Sequence, residues 1–353
     1  MMANYSELDD SWEDMLKQNK LYQPSNFWRE ASNLIKSEIK LNGVEKFRSL
    51  ESILSYFAPT YGIPGNSFTR EMVHALLNEL KSDFPGEKKP KLALEQFLSG
   101  YMSALGDYRV LLASDNVSIL PFIHLFSESD YGDPIEHFEF DGRKFSRSSL
   151  NYLLGLAMLK KHLDGDVPQT ILEIGGGFGT LGEILSKSGI KGLHYIDIDI
   201  PPTSYVAQNY LTYILGVENV ATYNQYKLND SISIDSLPMA SVFCSWQIEK
   251  LIGKIDLFVN FISFQEMEPE IVQNYLKHVS RLSSTWILLR NIREGKNIRT
   301  DKCLEGVEIP IFSDDYVTML PDYELIERNV IPFGYRTVDN FHSELLLLKR
   351  KHE

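Results

Sequence analysis

A chain of 353 residues with 43% hydrophobic and 24% charged side chains has the balance of a folded protein, and it is long enough for two ordinary domains. Its formal charge of −13 disfavours the phosphate backbone of nucleic acid as a main partner. The two cysteines, Cys244 and Cys303, stand far apart in neither metal-ligand nor redox spacing, which argues against a disulfide framework or a zinc site.

The opening residues, MMANYSELDDSWEDML, are acidic and lack the basic-then-apolar order of a secretory signal. No apolar run approaches the roughly 20 residues that cross a bilayer, so the expected location is cytoplasmic, with no membrane span. From about residue 10 to 106 the pattern is helical, with apolar residues three and four apart in Phe27–Ile39, Thr69–Lys81 and Lys91–Leu105. Pro64-Gly65 and Pro85-Gly86 punctuate these helices as loops. Trp12, Tyr22, Phe27 and Trp28 read most simply as packing of a helical core, and alternatively as a carbohydrate-stacking platform. Asp130–Pro134 reads as a turn, and His137–Gly142 as a strand ending in a tight turn. A helix then starts near Ser146, with Ser148 or Ser149 also able to cap it, and runs to about His162. The expected domains are residues 1–145, helical with a connecting region, and 146–353.

After Pro168 the period changes. Thr170–Ile174, His194–Ile198, Ile255–Ile262 and Thr285–Leu289 are short apolar runs, as strands buried on both faces should be. Helical stretches lie between them: one carries Leu181, Ile184 and Leu185 on one face and stops at Gly189. A second opens at Pro201-Pro202-Thr203 and ends before Gly216. A third carries Ile271, Val272, Tyr275, Leu276 and Val279. Alternation of this kind implies an α/β fold with a mostly parallel, Rossmann-like sheet. Tyr323–Ile331 and Ser343–Lys349 follow one another without an obvious helix and predict an antiparallel pair at the sheet edge.

The stretch Ile171-Leu-Glu-Ile-Gly-Gly-Gly-Phe-Gly-Thr-Leu-Gly182 runs from strand through glycine-rich turn into helix, with five glycines in eight residues. Lacking Cβ atoms, such a turn lets a ligand approach its amides at a helix N-terminus. Two registers compete. Gly177-Phe-Gly-Thr-Leu-Gly182 fits the dinucleotide pattern G-x-G-x-x-G, with Asp197 twenty residues on from Gly177, and implies an NAD-dependent oxidoreductase. That register needs Gly175-Gly176 inside the strand, which is poor strand material. In the other, Glu173 precedes Gly175-Gly176-Gly177-Phe178-Gly179 and the strand ends naturally in Ile174. A carboxylate there suits an ammonium-bearing ligand and repels a pyrophosphate.

In this second register the segment resembles motif I of class I methyltransferases, an acidic residue followed by G-x-G-x-G. The segments EIGGGFGTLGEIL, YIDIDIPPTSYVAQNYL and NFISFQEM, with the upstream YQPSNFW and the turn and strand before Ser146, are similar to a family of sugar O-methyltransferases from bacterial surface-polysaccharide gene clusters, well over roughly residues 130–350 and loosely in the N-terminal region. The resemblance implies S-adenosylmethionine as cofactor, a reversed last strand, and a cytoplasmic enzyme acting on a nucleotide sugar or surface glycan. It places Glu173, the loop from Gly175 to Gly179, and Asp197, with Asp199 in reserve, on the cofactor. Trp246 falls in the stretch that borders the adenine. A non-catalytic module on the same fold, and a homo-oligomer, stay open.

Methyl transfer to oxygen needs the acceptor in line with the methyl, and a base or metal that loosens the hydroxyl proton. Substrates of such sheets sit beyond the carboxyl ends of the strands. Glu266 and Gln265, just after Ile255–Ile262, are therefore the leading catalytic candidates, with helix capping as the competing role of Glu266. Asn260 reads as a satisfied buried amide. Arg290 and Asn291 are weaker substrate-side candidates. His342, before the last strand, titrates in the right range for a base; His124 and His137 rank below it. A divalent metal is possible but unassigned, with Asp314, Asp315 and Glu266 as conceivable carboxylate donors.

Overall fold

The computed structural model describes residues 5–57, 70–83, 86, 88–301, 303, 306–337 and 340–351. Pro64-Gly65 and Pro85 lie outside them. Three amphipathic helices, α1 (Ser6–Met15), α2 (Asn26–Asn42) and α3 (Glu51–Phe57), open the chain. Then follow α4 (Arg70–Asp83), α5 (Lys88–Leu98) and α6 (Tyr101–Ser114). The segment read as one helix over Lys91–Leu105 is two: Gly100, at φ +81°, ends α5 and begins α6. A left-handed residue cannot continue a right-handed helix.

Strands β1 (Phe138–Phe140) and β2 (Arg143–Phe145) form a hairpin around Asp141-Gly142, at φ +50° and +71°. Asp-Gly is the dipeptide that tolerates this turn. Helix α7 (Arg147–Lys160) begins at once, and Ser146 is its cap, in a reciprocal box with Ser149.

The main sheet contains β3 (Thr170–Ile174), β4 (His194–Asp199), β5 (Val220–Ala221), β7 (Ala240–Cys244), β9 (Leu257–Phe261) and β10 (Trp286–Ile292), followed by β11 (Tyr323–Asn329), β12 (Tyr335–Arg336) and β13 (His342–Arg350). Two short strands, β6 (Ile232–Ser233) and β8 (Leu251–Ile252), pair separately. The order is β11-β13-β10-β9-β3-β4-β7-β5. β13 runs antiparallel to β10 and β11, while the pairings from β10 to β5 are all parallel. This order, with one reversed strand inserted beside the edge, makes a mostly parallel, Rossmann-like sheet, as expected from the sequence. Helices α8 (Thr180–Ser186), α9 (Thr203–Leu215), α11 (Pro269–Arg281) and α12 (Ser313–Met319) flank it, with one-turn α10 (Tyr223–Tyr226) between.

Alternation along the strands divides the interior into two cores. Ile171, Tyr195, Val242, Val259 and Leu347 face one side, where they meet α7 to α9 and the N-terminal Ile35, Ile39, Phe47 and Phe57. Leu172, Ile196, Phe243, Phe258 and Leu346 face the other, with α11 and the N-terminal Met15 and Tyr22. The N-terminal segment thus enters both cores.

That junction is pinned by a buried charge. Arg48 is 0% exposed, pairs with Glu136 at 2.6 Å and Glu128 at 2.9 Å, and stacks 4.8 Å over the Phe178 ring. Glu128 also accepts the backbone and hydroxyl of Ser146. His137 joins through Nε2 at 2.9 Å; burial pushes its imidazole down to about 4.

Candidate functional site

A cleft of about 1120 Å³, counted out to its open mouth, lies beyond the carboxyl ends of β3, β4 and β9. Its floor is Gly175, Gly176 and Gly177 with Thr180; one side is Asp199, Ile200 and Thr203 after β4. Ile262, Ser263, Glu266 and Met267 after β9 form another, and Ser148, Asn151 and Tyr152 of α7 line it too. The remaining wall is N-terminal: Gln23 to Ser25, Phe27 and Trp28 with Ser55 to Phe57. Of the four N-terminal aromatics, Tyr22 is buried against Tyr275 and Trp12 is packed on the second core, while Phe27 and Trp28 line the cleft.

β3 ends at Ile174, so the glycines are loop and not strand. Gly175 and Gly177 have φ of +72° and +64°, where other residues are strained. A Cβ at Gly177 would meet nothing, since it faces the cleft. Gly179, at φ +92°, caps α8 and packs on Leu211. Phe178 points the other way, into the core between Phe47 and Tyr210 at 5.3 and 4.9 Å. It anchors the N-terminal segment instead of touching a ligand.

The three acids at the loop occupy different places. Glu173 is fully buried behind it, and both of its oxygens accept tyrosine hydroxyls, from Tyr152 at 2.7 Å and Tyr195 at 2.5 Å. Burial pushes this carboxyl up to about 7 against those hydrogen bonds. Asp197 is also fully buried; it accepts the Gly176 amide at 3.3 Å through one oxygen, and the other has no partner. Burial, then the charges of Asp199 and Glu173, raise it strongly. Asp199, the last residue of β4, reaches the cleft; it accepts the amides of Gly177 at 3.2 Å and Ile200 at 2.7 Å. Burial lifts it to about 7 as well. The sequence count favoured Asp197 over Asp199. In the fold the order is reversed, because Asp197 stands one strand pleat short of the cleft.

Glu266 lines the cleft at 9% exposure, in a 3-10 turn (Phe264–Glu266) rather than as a helix cap. Its oxygens accept the Trp28 indole at 2.8 Å and the Lys296 ammonium at 3.1 Å. Gln265 turns away: its Oε1 accepts Ile292 N–H at 2.8 Å, and its backbone N–H donates to Asn291 Oδ1 at 3.1 Å. Asn260 is the satisfied amide the sequence suggested, bonded to Ile174, Phe264 and Asn291. Arg290 is fully buried against Phe333 and Asn151 carbonyls.

Two expected site residues stand elsewhere. His342 starts β13, is held by Glu294 at 2.5 Å and Arg293 at 2.8 Å, and does not line the cleft. Trp246 is a core tryptophan, 8% exposed and set edge-on to Tyr223 at 5.6 Å. The conceivable metal donors are separately engaged: Asp314 pairs with Arg328, Asp315 caps α12, and Glu266 is bound as above. Among the described residues no three His, Cys, Asp or Glu side chains gather as a metal site, and no helix is long and apolar enough to cross a membrane.

Ile262 escaped the sequence reading. It follows β9 at φ +73°, a conformation costing a β-branched residue about 1–3 kcal/mol, and it lines the cleft. Lys296, Tyr56 and Ser148 had no local signal either.

No protein-family model matches the sequence, and no curated protein matches it. Solved structures do. The magnesium protoporphyrin IX methyltransferase of Synechocystis PCC 6803, with bound SAH, is similar over 58% of this chain and 84% of its own, at 15% identity and TM-score 0.40. A SAM-dependent methyltransferase from Aquifex aeolicus covers 58% of this chain and 94% of its own, at 14% and 0.36. The O-methyltransferase of neocarzinostatin biosynthesis, with SAH and 1,4-dihydroxy-2-naphthoic acid, covers 58% and 56%, at 11% and 0.38.

Proposed function

We propose that this chain is an S-adenosylmethionine-dependent O-methyltransferase acting on a sugar hydroxyl. The observation that carries the cofactor is the charge of the cleft. Among the described residues its lining has two charged side chains, both acidic, Asp199 and Glu266, with Glu173 and Asp197 buried just beneath the loop. Buried carboxylates this close raise one another's proton affinity, and a cation relieves them. A sulfonium and an ammonium fit that field; the pyrophosphate of NAD does not, and β3 ends too early for the dinucleotide register.

When bound, the cofactor supplies an electrophilic methyl group. The chain's own residues do the rest. Asp199 accepts the ribose hydroxyls, and the open face of Gly177 admits the ligand to the loop. Glu266 accepts a hydrogen bond from the acceptor hydroxyl and takes its proton. The ring-lined wall of Phe27, Trp28 and Tyr56 supports a sugar ring, in keeping with the sequence resemblance.

The test is transfer of a labelled methyl group from S-adenosylmethionine to methyl glycosides, nucleotide sugars and simple phenols. Transfer to glycosides, slowed at least 100-fold in Glu266→Gln, is the expected result. Transfer to phenols alone removes the sugar, and an unchanged rate in Glu266→Gln removes the base.

A further inference from the structure

The wall facing Glu266 comes from outside the α/β unit. Phe27 and Trp28, in the first turn of α2, and Tyr56 of α3 form a triangle of rings with centroids 5.6 to 5.9 Å apart. Trp28 Nε1 donates to Glu266 Oε2 at 2.8 Å, a bond between residues 238 apart in the chain. Lys296, from the segment after β10, donates to Oε1 at 3.1 Å, and its ammonium stands 4.1 Å from the Phe27 ring centre. Its side chain is only 17% exposed.

We propose that Trp28 and Lys296 are positioning residues for Glu266, which makes the N-terminal segment part of the acceptor site. The proposal rests on the reading of Glu266 as the residue that meets the acceptor. Each oxygen of the carboxylate receives one donor, and a carboxylate oxygen can accept a second. One lone pair on each oxygen is therefore left for the acceptor while the group itself is held from both ends. The ammonium is in turn held by the Phe27 face, an arrangement that favours charge over bare packing. Were Trp28 only a wall residue, its indole nitrogen would have no need to point at the one acid on the acceptor side, and Lys296 would be free to extend into water as lysines do.

The chain has four tryptophans, hence four indole N–H resonances in the ¹⁵N-labelled protein, and Trp28→Phe identifies one of them. Glu266→Gln and Lys296→Met are each expected to move that resonance by more than its line width, and Lys296→Arg to return it. A Trp28 resonance that ignores either of the first two substitutions overturns the proposal. Should a variant fail to fold, hydrogen exchange in the wild type decides. A Trp28 indole proton exchanging at least tenfold more slowly than a free indole agrees, and one exchanging as fast as a free indole contradicts. Titration with S-adenosylhomocysteine separates the two claims. Wild-type protein that binds it while the Trp28 resonance ignores Glu266→Gln or Lys296→Met loses only the positioning; protein that binds none loses the functional reading beneath it.

Discussion

Glu173 and Asp197 are direct neighbours across the parallel register of β3 and β4, and both lie against Gly176. A Cβ at Gly176 would stand 2.6 Å from Asp197 Oδ1 and 2.8 Å from Glu173 Oε2. The third glycine of the loop thus differs from the second: Gly176 makes room for acids, and Gly177 opens onto the cleft.

Gly176→Ala is expected to destabilise the protein by about 1–3 kcal/mol, the range for overfilling a packed site. Gly177→Ala meets no atom and carries the left-handed backbone cost alone, about 1–2 kcal/mol, but it obstructs the cleft. Urea denaturation with ligand titration checks both: Gly176→Ala loses more stability, and Gly177→Ala keeps a folded chain with weakened binding. The opposite order contradicts the assignment.

The pH dependence of binding follows from Asp199. Its carboxyl is lifted to about 7, so it is half protonated near neutrality and ionised above. A cationic ligand therefore binds more tightly as pH rises from 6 to 8. Asp199→Asn is expected to flatten that rise and weaken binding about 10- to 100-fold, the value of a hydrogen bond to a charged group. A wild-type affinity that falls over this range refutes the role.

Stability responds in the opposite sense. Glu173 takes its proton near pH 7 when folded, against an ordinary value of 4.5. Between those values the folded state binds the extra proton, so stability falls as pH rises through that window and is level above it. Glu173→Gln removes this dependence. The variant should gain stability relative to wild type between pH 5 and 7.5, a comparison that cancels the opposite slope from His137. Parallel curves for the two proteins would show that Glu173 is ionised throughout.

Arg48 carries the junction of the N-terminal segment. Arg48→Met leaves Glu128 and Glu136 buried without their cation, and a loss of about 3–5 kcal/mol is expected on chemical denaturation. A loss below 1 kcal/mol would mean the acids are neutral or solvated. Trp246→Phe, by contrast, should cost stability through lost packing and leave affinity for S-adenosylhomocysteine within about twofold, because the ring belongs to the core and not to the cleft.

Much of the sheet was legible because β3, β4, β9 and β10 are short apolar runs punctuated by glycine, and the Asp141-Gly142 turn announces itself chemically. β7 escapes the reading because Ala240–Cys244 mixes small and polar residues with only two large apolar ones, Val242 and Phe243. The glycine loop was legible as a loop, but the depth of each acid was not. Counting residues favours Asp197; only the end of β4 shows that Asp199 is the one that lines the cleft. Period-two alternation does not say what waits on each face, so the two tyrosines that enclose Glu173 were not legible, and no strand period governs Phe178, which turns into the core from the loop. Trp28 and Lys296 reach Glu266 from distant stretches, and no local pattern encodes such a meeting.

The central claim is the nature of the ligand at the glycine loop. Calorimetric titration of the intact protein at pH 8 with S-adenosylmethionine, S-adenosylhomocysteine and NAD in parallel tests it most directly. Micromolar binding of both adenosyl sulfur compounds, with none of NAD, is the predicted result. Binding of NAD alone, or of none of the three, would contradict it.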